Sequence, residues 1–251
     1  MNNNKYENIE IFKRLNDPQK EAVYHTQGPI LVLAGAGTGK TGVLTTRLIR
    51  LLIEKIALPG EILSVTFTNK AANEMRERIT NQIGDMSSGL KWLGTFHSVG
   101  AQILRFHPNK LGLENDFIIL DTDDQVRLLK QIIKDENIDD KRWPAKQLLN
   151  LIDKWKNKGL YPGDVILKKR ETLEKNFLNI YEIYQKKLID LNSVDFSDLI
   201  LHTVKIFKKY EDIKSLYSRK FKYILVDEYQ DTNLIQSEWL KYLSEINLNI
   251  C

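Results

Sequence analysis

Five short runs of the chain are apolar and partly β-branched: "PILVLAG" (29–35), "EILSVTFT" (61–68), "KWLGTFHS" (91–98), "DFIILD" (116–121) and "FKYILVDE" (221–228). Each is nearly continuous rather than alternating, the pattern of strands buried on both faces. Between the early runs, apolar residues return at three- and four-residue spacing. "GKTGVLTTRLIRLLIEKI" (39–56) and "NKAANEMRERITNQI" (69–83) therefore predict amphipathic helices. Strands alternating with helices imply a parallel α/β sheet. From about Asp123 to Tyr210 the pattern is mainly helical, with Leu and Ile at helical spacing. It is broken at "RWPAK" (142–146) and "GLYPGD" (159–164), where Pro and Gly end helices. The expected layout is an α/β sheet domain interrupted by a helical insertion, with the sheet resuming at "KYILVDE". In residues, that is 1–112 for the first part, 113–190 for the insertion and 191–251 for the continuation.

Composition changes little in this picture. The 251 residues suffice for one large or two small domains, and the apolar and charged fractions are those of an ordinary globular protein. A net charge of +4 is compatible with nucleic acid but too small to argue for it alone. Cys251 is the single cysteine, so no disulfide forms within the chain, which suits a reducing cytoplasm. The N-terminal stretch has no signal-like apolar core, and no apolar run reaches membrane-spanning length. A cytoplasmic protein without membrane contact is the expectation.

Two blocks carry chemistry. In "LVLAGAGTGKT" (31–41) a strand runs into a Gly-rich turn and then a helix N-terminus. Such a turn points backbone N–H groups at phosphate oxygens, with the helix dipole behind them. Ala34, Gly35, Ala36, Gly37, Thr38 and Gly39 would cradle the phosphates. Lys40 would reach the β- and γ-phosphates, and the Thr41 hydroxyl would ligate Mg²⁺. The strict pattern G-x-x-x-x-G-K-[ST] wants glycine at position 34. Alanine there costs little if that residue is extended, because glycine is needed only where φ is positive or backbone must approach the ligand. The second block, "YILVDEYQDTN" (223–233), ends an apolar strand in two carboxylates. In a parallel sheet ligands sit beyond the carboxyl ends of strands, where the phosphate loop also lies. Asp227 would hold the metal and Glu228 would take a proton from attacking water.

Read together, "LAGAGTGKT" and "DEYQDTN" resemble the first and second motifs of the UvrD/Rep/PcrA group of superfamily 1 DNA helicases, whose first motif characteristically begins with Ala. Further blocks follow in family order. "LNDPQKEAV" (15–23) is similar to the motif whose glutamine, here Gln19, reads adenine. "TFTNKAANEM" (66–75), "GTFHS" (94–98) and "DFSDLI" (195–200) are similar to motifs lining the path of single-stranded DNA. "KWKNKGLYP" (154–162) is similar to a segment of the helical insertion. The resemblance implies a RecA-like P-loop NTPase domain with a mainly helical insertion. It implies ATP and Mg²⁺ as cofactors, with single-stranded DNA and duplex junctions as partners, and 3′ to 5′ translocation. It adds Gln230 to the catalytic set of Lys40, Asp227 and Glu228. It assigns DNA contacts to Phe67, Thr68, Asn69, Lys70, Thr95 and His97; an aromatic such as Phe67 can stack on any base. From the residues alone, Phe67 reads equally as core, and His97 as a buried, hydrogen-bonded histidine. Trp155 with Lys154, Lys156 and Lys158 reads either as a DNA contact or as an amphipathic helix with Trp155 packed inward. The cluster 168–170 reads as a solvated face. "TNKA" resembles a guanine-reading motif, but Ala72 stands at its required Asp position and excludes it.

The sequence departs from the family in places. An arginine commonly follows the Lys-Thr pair, near the base; here it is Gly42, so base stacking is lost or supplied elsewhere, with Arg47 as a candidate. Ser197 stands where aspartate is usual. In the family the region after "EINLNIC" leads to a γ-phosphate-sensing motif and a second RecA-like domain with arginines that complete the ATP site. The chain therefore reads as the N-terminal portion of an ATP-dependent DNA helicase, with little turnover of its own. The alternatives are part of a helicase–nuclease subunit, a non-catalytic DNA-binding or regulatory module, and a small-molecule kinase. The DNA-path motifs and "DEYQDTN" weigh against the kinase, and intact Lys40, Thr41, Asp227 and Glu228 weigh against the non-catalytic module.

Overall fold

The computed structural model describes residues 10–35, 37–165 and 172–251. Contacts group them into two compact units. One comprises Met1–Val99, Glu211–Thr232 and Leu240–Cys251; the other comprises Gly100–Tyr210 and Asn233–Trp239.

The first unit opens with a short turn, α1 (Glu10–Lys13), and α2 (Asp17–Tyr24). Asn16 starts α2 through a capping box: its Oδ1 accepts the Gln19 N–H, and Gln19 Oε1 accepts the Asn16 N–H, both at 3.0 Å. Helix α3 (Lys40–Ile53) is buried along most of its length from Val43 to Leu52. Strand β1 (Ile62–Thr66) is buried at every residue, as its unbroken apolar run predicts. Thr68 caps α4 (Asn69–Ile83), which spans the helix expected from the spacing, and β2 (Leu93–Thr95) leads directly into α5 (Phe96–Phe106).

In the second unit, β3 (Ile118–Leu120) precedes α6 (Thr122–Asp135) and α7 (Ala145–Lys156). Then come α8 (Thr172–Asp190), β4 (Ser193–Asp195) and α9 (Asp198–Lys209). Its core gathers Leu129, Ile132, Leu148, Ile152, Tyr181 and Tyr184. Gly100 in α5 is a packing glycine, since a Cβ there would lie 2.8 Å from the Leu199 carbonyl oxygen. Helix α10 (Glu211–Lys220) and β5 (Tyr223–Val226) return to the first unit, and α11 is Leu234–Leu243.

The main sheet has the order β2-β1-β5, all parallel, with Thr66 opposite Thr95 and Val65 opposite Val226. A second, two-stranded parallel sheet joins β3 to β4. The fold is thus α/β, with small parallel sheets among many helices.

One expected strand fails and another forms but is less buried than expected. The run 29–35, expected as a buried strand, is extended but unpaired. Ile30 donates to the Ile250 carbonyl at 2.9 Å, and Leu31 and Leu33 are 68% and 84% exposed. Residues 249–251 take the edge beside β5 and give this segment that single backbone bond; no described residue forms a ladder with 31–35. The run 116–121 is a strand of three residues with Ile118 61% exposed, because β4 is its one neighbouring strand among the described residues. "KWLGTFHS" also divides: β2 ends at Thr95, and Phe96 already belongs to α5. The cluster 168–170 lies outside the described residues.

Candidate active site

Parallel strands bring their carboxyl ends to one edge. Because β1, β2 and β5 run the same way in register, the residues after Thr66, Thr95 and Val226 all emerge there. The phosphate loop joins them through α3. Gly37 and Gly39 have φ of 75° and 89°, the left-handed region that favours glycine, whereas Ala34 is not among the positive-φ residues. Alanine at the first position is accommodated for that reason. Gly39 caps α3 without a side-chain hydrogen bond, so the first N–H groups of the helix are left to another acceptor. Thr38 Oγ1 closes the turn on the Gly35 carbonyl at 2.7 Å, and Lys40 Nζ donates to the carbonyls of Ala34 and Gly35, each at 3.2 Å. Ala36 lies outside the described residues.

From the other end of the sequence, Asp227 arrives at this loop. Thr41 Oγ1 donates to its carboxylate, 3.1 Å from Oδ2 and 3.3 Å from Oδ1, across 186 positions of chain. The Asp227 backbone N–H continues the sheet by donating to Val65 O at 2.9 Å. Asp227 is only 6% exposed, and burial raises its pKa, with the Thr41 hydrogen bond opposing. Glu228 has φ 52°, which for a non-glycine residue is a strained conformation held by its surroundings. Its carboxylate accepts a short hydrogen bond from Gln230 Nε2, tying these two predicted catalytic residues together. The Thr41 hydroxyl and the Asp227 carboxylate lie beside the uncapped helix N–H groups and are oxygen donors of the kind a hard cation takes.

Gln19 faces the same loop. Its Nε2 donates to the Thr38 carbonyl at 3.2 Å while Oε1 serves the α2 capping box. Arg47 is not available for a base. It is fully buried, and its guanidinium donates to the Ala22 carbonyl at 2.8 Å and to that of His25.

The six residues assigned to DNA fall at the ends of β1 and β2. Phe67 is half-buried, its ring 5.4 Å from that of Phe96. Asn69 and Lys70 are exposed on the first turn of α4. Thr68 and Thr95 are committed locally: Thr68 Oγ1 accepts the Ala71 N–H, and Thr95 Oγ1 accepts that of Ser98, each at 3.1 Å. Burial lowers the His97 pKa to about 4, so it is a neutral imidazole near pH 7.

In the second unit the structure overturns one reading and adds a feature. Lys156 is not at the surface. It is fully buried, with Nζ 2.5 Å from Asp195 and 2.7 Å from Asp198, while Trp155 packs inward 5.7 Å from the Tyr181 ring. Of "DFSDLI", only Phe196 is prominently exposed, at 54%. Ser197 donates to Asp153 at 3.0 Å, so serine there spares a cluster already rich in carboxylates a further charge. The missed signal was spacing: Leu148, Leu149, Ile152, Trp155 and Lys156 share one face of α7.

The model of the UvrD/REP helicase N-terminal domain matches residues 15–251. The chain is 45% identical over 249 residues to a probable DNA helicase II homolog of Rickettsia conorii, an alignment covering 98% of the chain and 38% of that protein. It is 42% identical over 246 residues to the ATP-dependent DNA helicase PcrA of Bacillus subtilis, covering 98% of the chain and 33% of that protein. The Staphylococcus aureus PcrA is 39% identical over 241 residues, with 96% and 33% covered. The chain thus spans roughly a third of the length of these curated relatives.

Proposed function

Since the chain belongs to the UvrD/REP helicase family and matches its N-terminal domain, we propose that it forms the ATP-binding part of a motor that moves along single-stranded DNA and opens duplex junctions. The observation that carries the ATP site is the 3.1 Å contact between Thr41 and Asp227. It supports a single site built by the phosphate loop and the acidic strand end. On this reading the first unit is a RecA-like domain and the second its helical insertion.

Each residue then has a definite task. Backbone N–H groups of Gly35, Gly37, Thr38 and Gly39 hold the phosphates, with Ala34 leading into the turn. Lys40 exchanges its loop carbonyls for phosphate oxygens, an acceptor of opposite charge. Thr41 and Asp227 hold Mg²⁺, which supplies positive charge to the phosphate oxygens. Glu228 accepts a proton from water, and Gln230 fixes the orientation of its carboxylate. Gln19 reads the base. Catalysis is mainly positioning and charge stabilisation, the chemistry that phosphoryl transfer asks of a protein. Phe67, Asn69, Lys70 and the β2–α5 junction with Thr95 and His97 face single-stranded DNA, the aromatic ring stacking and the helix N-termini holding phosphates. With Thr68 and Thr95 engaged as caps, their part is to fix those N-termini.

Titration of the purified chain with ATP, with and without Mg²⁺, tests the reading. Binding should depend on Mg²⁺. Lys40→Ala should weaken it about tenfold or more, the effect of losing one charged phosphate contact. Asp227→Ala should remove the Mg²⁺ dependence. Nucleotide binding indifferent to both substitutions and to Mg²⁺ would overturn the site.

A further inference from the structure

Beside the phosphate loop the first unit contains a cavity of about 410 Å³. Its walls include Gln19 of α2, Gly39 and Gly42 of α3, and Arg78, Asn81 and Gln82 of α4. Two features of this wall are unexplained by folding. Gly42 sits in the first turn of α3 without a positive φ, and a Cβ built on it meets nothing within 4 Å. Neither conformation nor crowding calls for glycine there, and glycine weakens a helix. Its effect is to leave one wall of the cavity without a side chain.

Arg78 is exposed and makes no hydrogen bond or ion pair with any described residue. The neighbouring arginines are committed. Arg76, on the same helix, donates to the carbonyls of Leu90 and Leu93 at 3.1 and 2.6 Å. Arg14, also on the cavity wall, is paired with Glu10. Gln19 keeps one lone pair on Oε1 and one hydrogen on Nε2 after its two bonds, an edge that matches the donor–acceptor edge of adenine. The cavity therefore offers a planar cation with no hydrogen-bond or ion-pair partner among the described residues, an amide edge and an open side.

We propose that Arg78 stacks on the base of the bound nucleotide across the gap left by Gly42, so that α4, rather than α3, supplies the base clamp. This rests on the nucleotide site proposed above. A guanidinium over an aromatic face is attractive, and its flat shape is what a lysine cannot reproduce.

Calorimetric titration of the full chain with Mg-ATP and with Mg-tripolyphosphate, which lacks a base, tests the proposal. Arg78→Ala and Arg78→Lys should each weaken ATP binding about three- to thirtyfold, the span of a cation–π contact, while leaving tripolyphosphate binding unchanged. Adding Gly42→Arg to Arg78→Ala should restore ATP affinity, since that side chain enters the empty space. Lys40→Ala should weaken both ligands and so monitors the phosphate site separately. An ATP-to-tripolyphosphate affinity ratio unmoved by Arg78→Ala, or an equal loss for both ligands, overturns the base clamp while leaving the phosphate site standing. Failure of the wild-type chain to bind either ligand overturns both.

Discussion

His202 on α9 is 3% exposed, and its Nδ1 lies 2.6 Å from the Tyr161 hydroxyl. Asp198 is 3.7 Å from Nε2, too far for a hydrogen bond, and Lys156, Lys205 and Asp195 also act on the ring. Burial first, then the two lysines, lowers its pKa to about 3. The folded chain therefore keeps a neutral imidazole where the unfolded chain takes up a proton below pH ~6.5. Its contribution to stability is complete above that pH and drains away as pH falls toward the folded value. Urea denaturation should show wild type losing about 2 kcal/mol more than His202→Gln between pH 7 and pH 5. Parallel pH profiles for the two proteins would count against this. At this scale residue type and spacing single out Lys40, Thr41, Asp227 and Glu228, and the structure brings Thr41 and Asp227 into hydrogen-bond contact. Glu228's left-handed backbone is not legible from them, because nothing in a Glu side chain announces positive φ.

Among the elements, the end of α7, the strand β4 and the start of α9 meet on one buried ion cluster. Lys156 lies between Asp195 and Asp198, and each carboxylate also accepts the other residue's backbone N–H, at 3.1 and 2.9 Å. Tyr184 donates to Asp195 at 3.1 Å and Gln185 to Asp198 at 2.9 Å. Removing the cation leaves two carboxylates buried side by side, so Lys156→Met should cost about 3–5 kcal/mol in denaturant unfolding. Adding Asp195→Asn and Asp198→Asn should recover most of it. A Lys156→Met chain as stable as wild type would mean the cluster contributes no net stability. Sequence placed α4 and much of α3 well, because their apolar spacing answers to one buried face. It misjudged 29–35 because a strand depends on its neighbours as much as on its own residues: one backbone bond from Ile250 does not make a ladder. It left Lys156 open because a lysine among lysines suggests solvent, although the period of α7 carries it inward.

For the molecule as a whole, the long separation of Thr41 from Asp227 explains why motifs in order mattered more than any local pattern. Only the sheet, with β5 beside β1, brings the two blocks together. Among the described residues, no arginine makes a hydrogen bond or ion pair with Thr41, Asp227 or Glu228. A well-placed arginine contributes ~10³–10⁵ to phosphoryl-transfer rates. The chain should therefore bind Mg-ATP yet hydrolyse it slowly, with little stimulation by single-stranded DNA in a phosphate-release assay; brisk DNA-stimulated turnover would show that the described residues suffice. Leu31 and Leu33 carry a different consequence. Two bare leucines on an extended, unladdered backbone make an adhesive seam. When copies meet along it, backbone pairing and loss of wetted apolar surface would come in the same step, so concentrated solutions should favour self-association at the place where the Gly-rich loop begins.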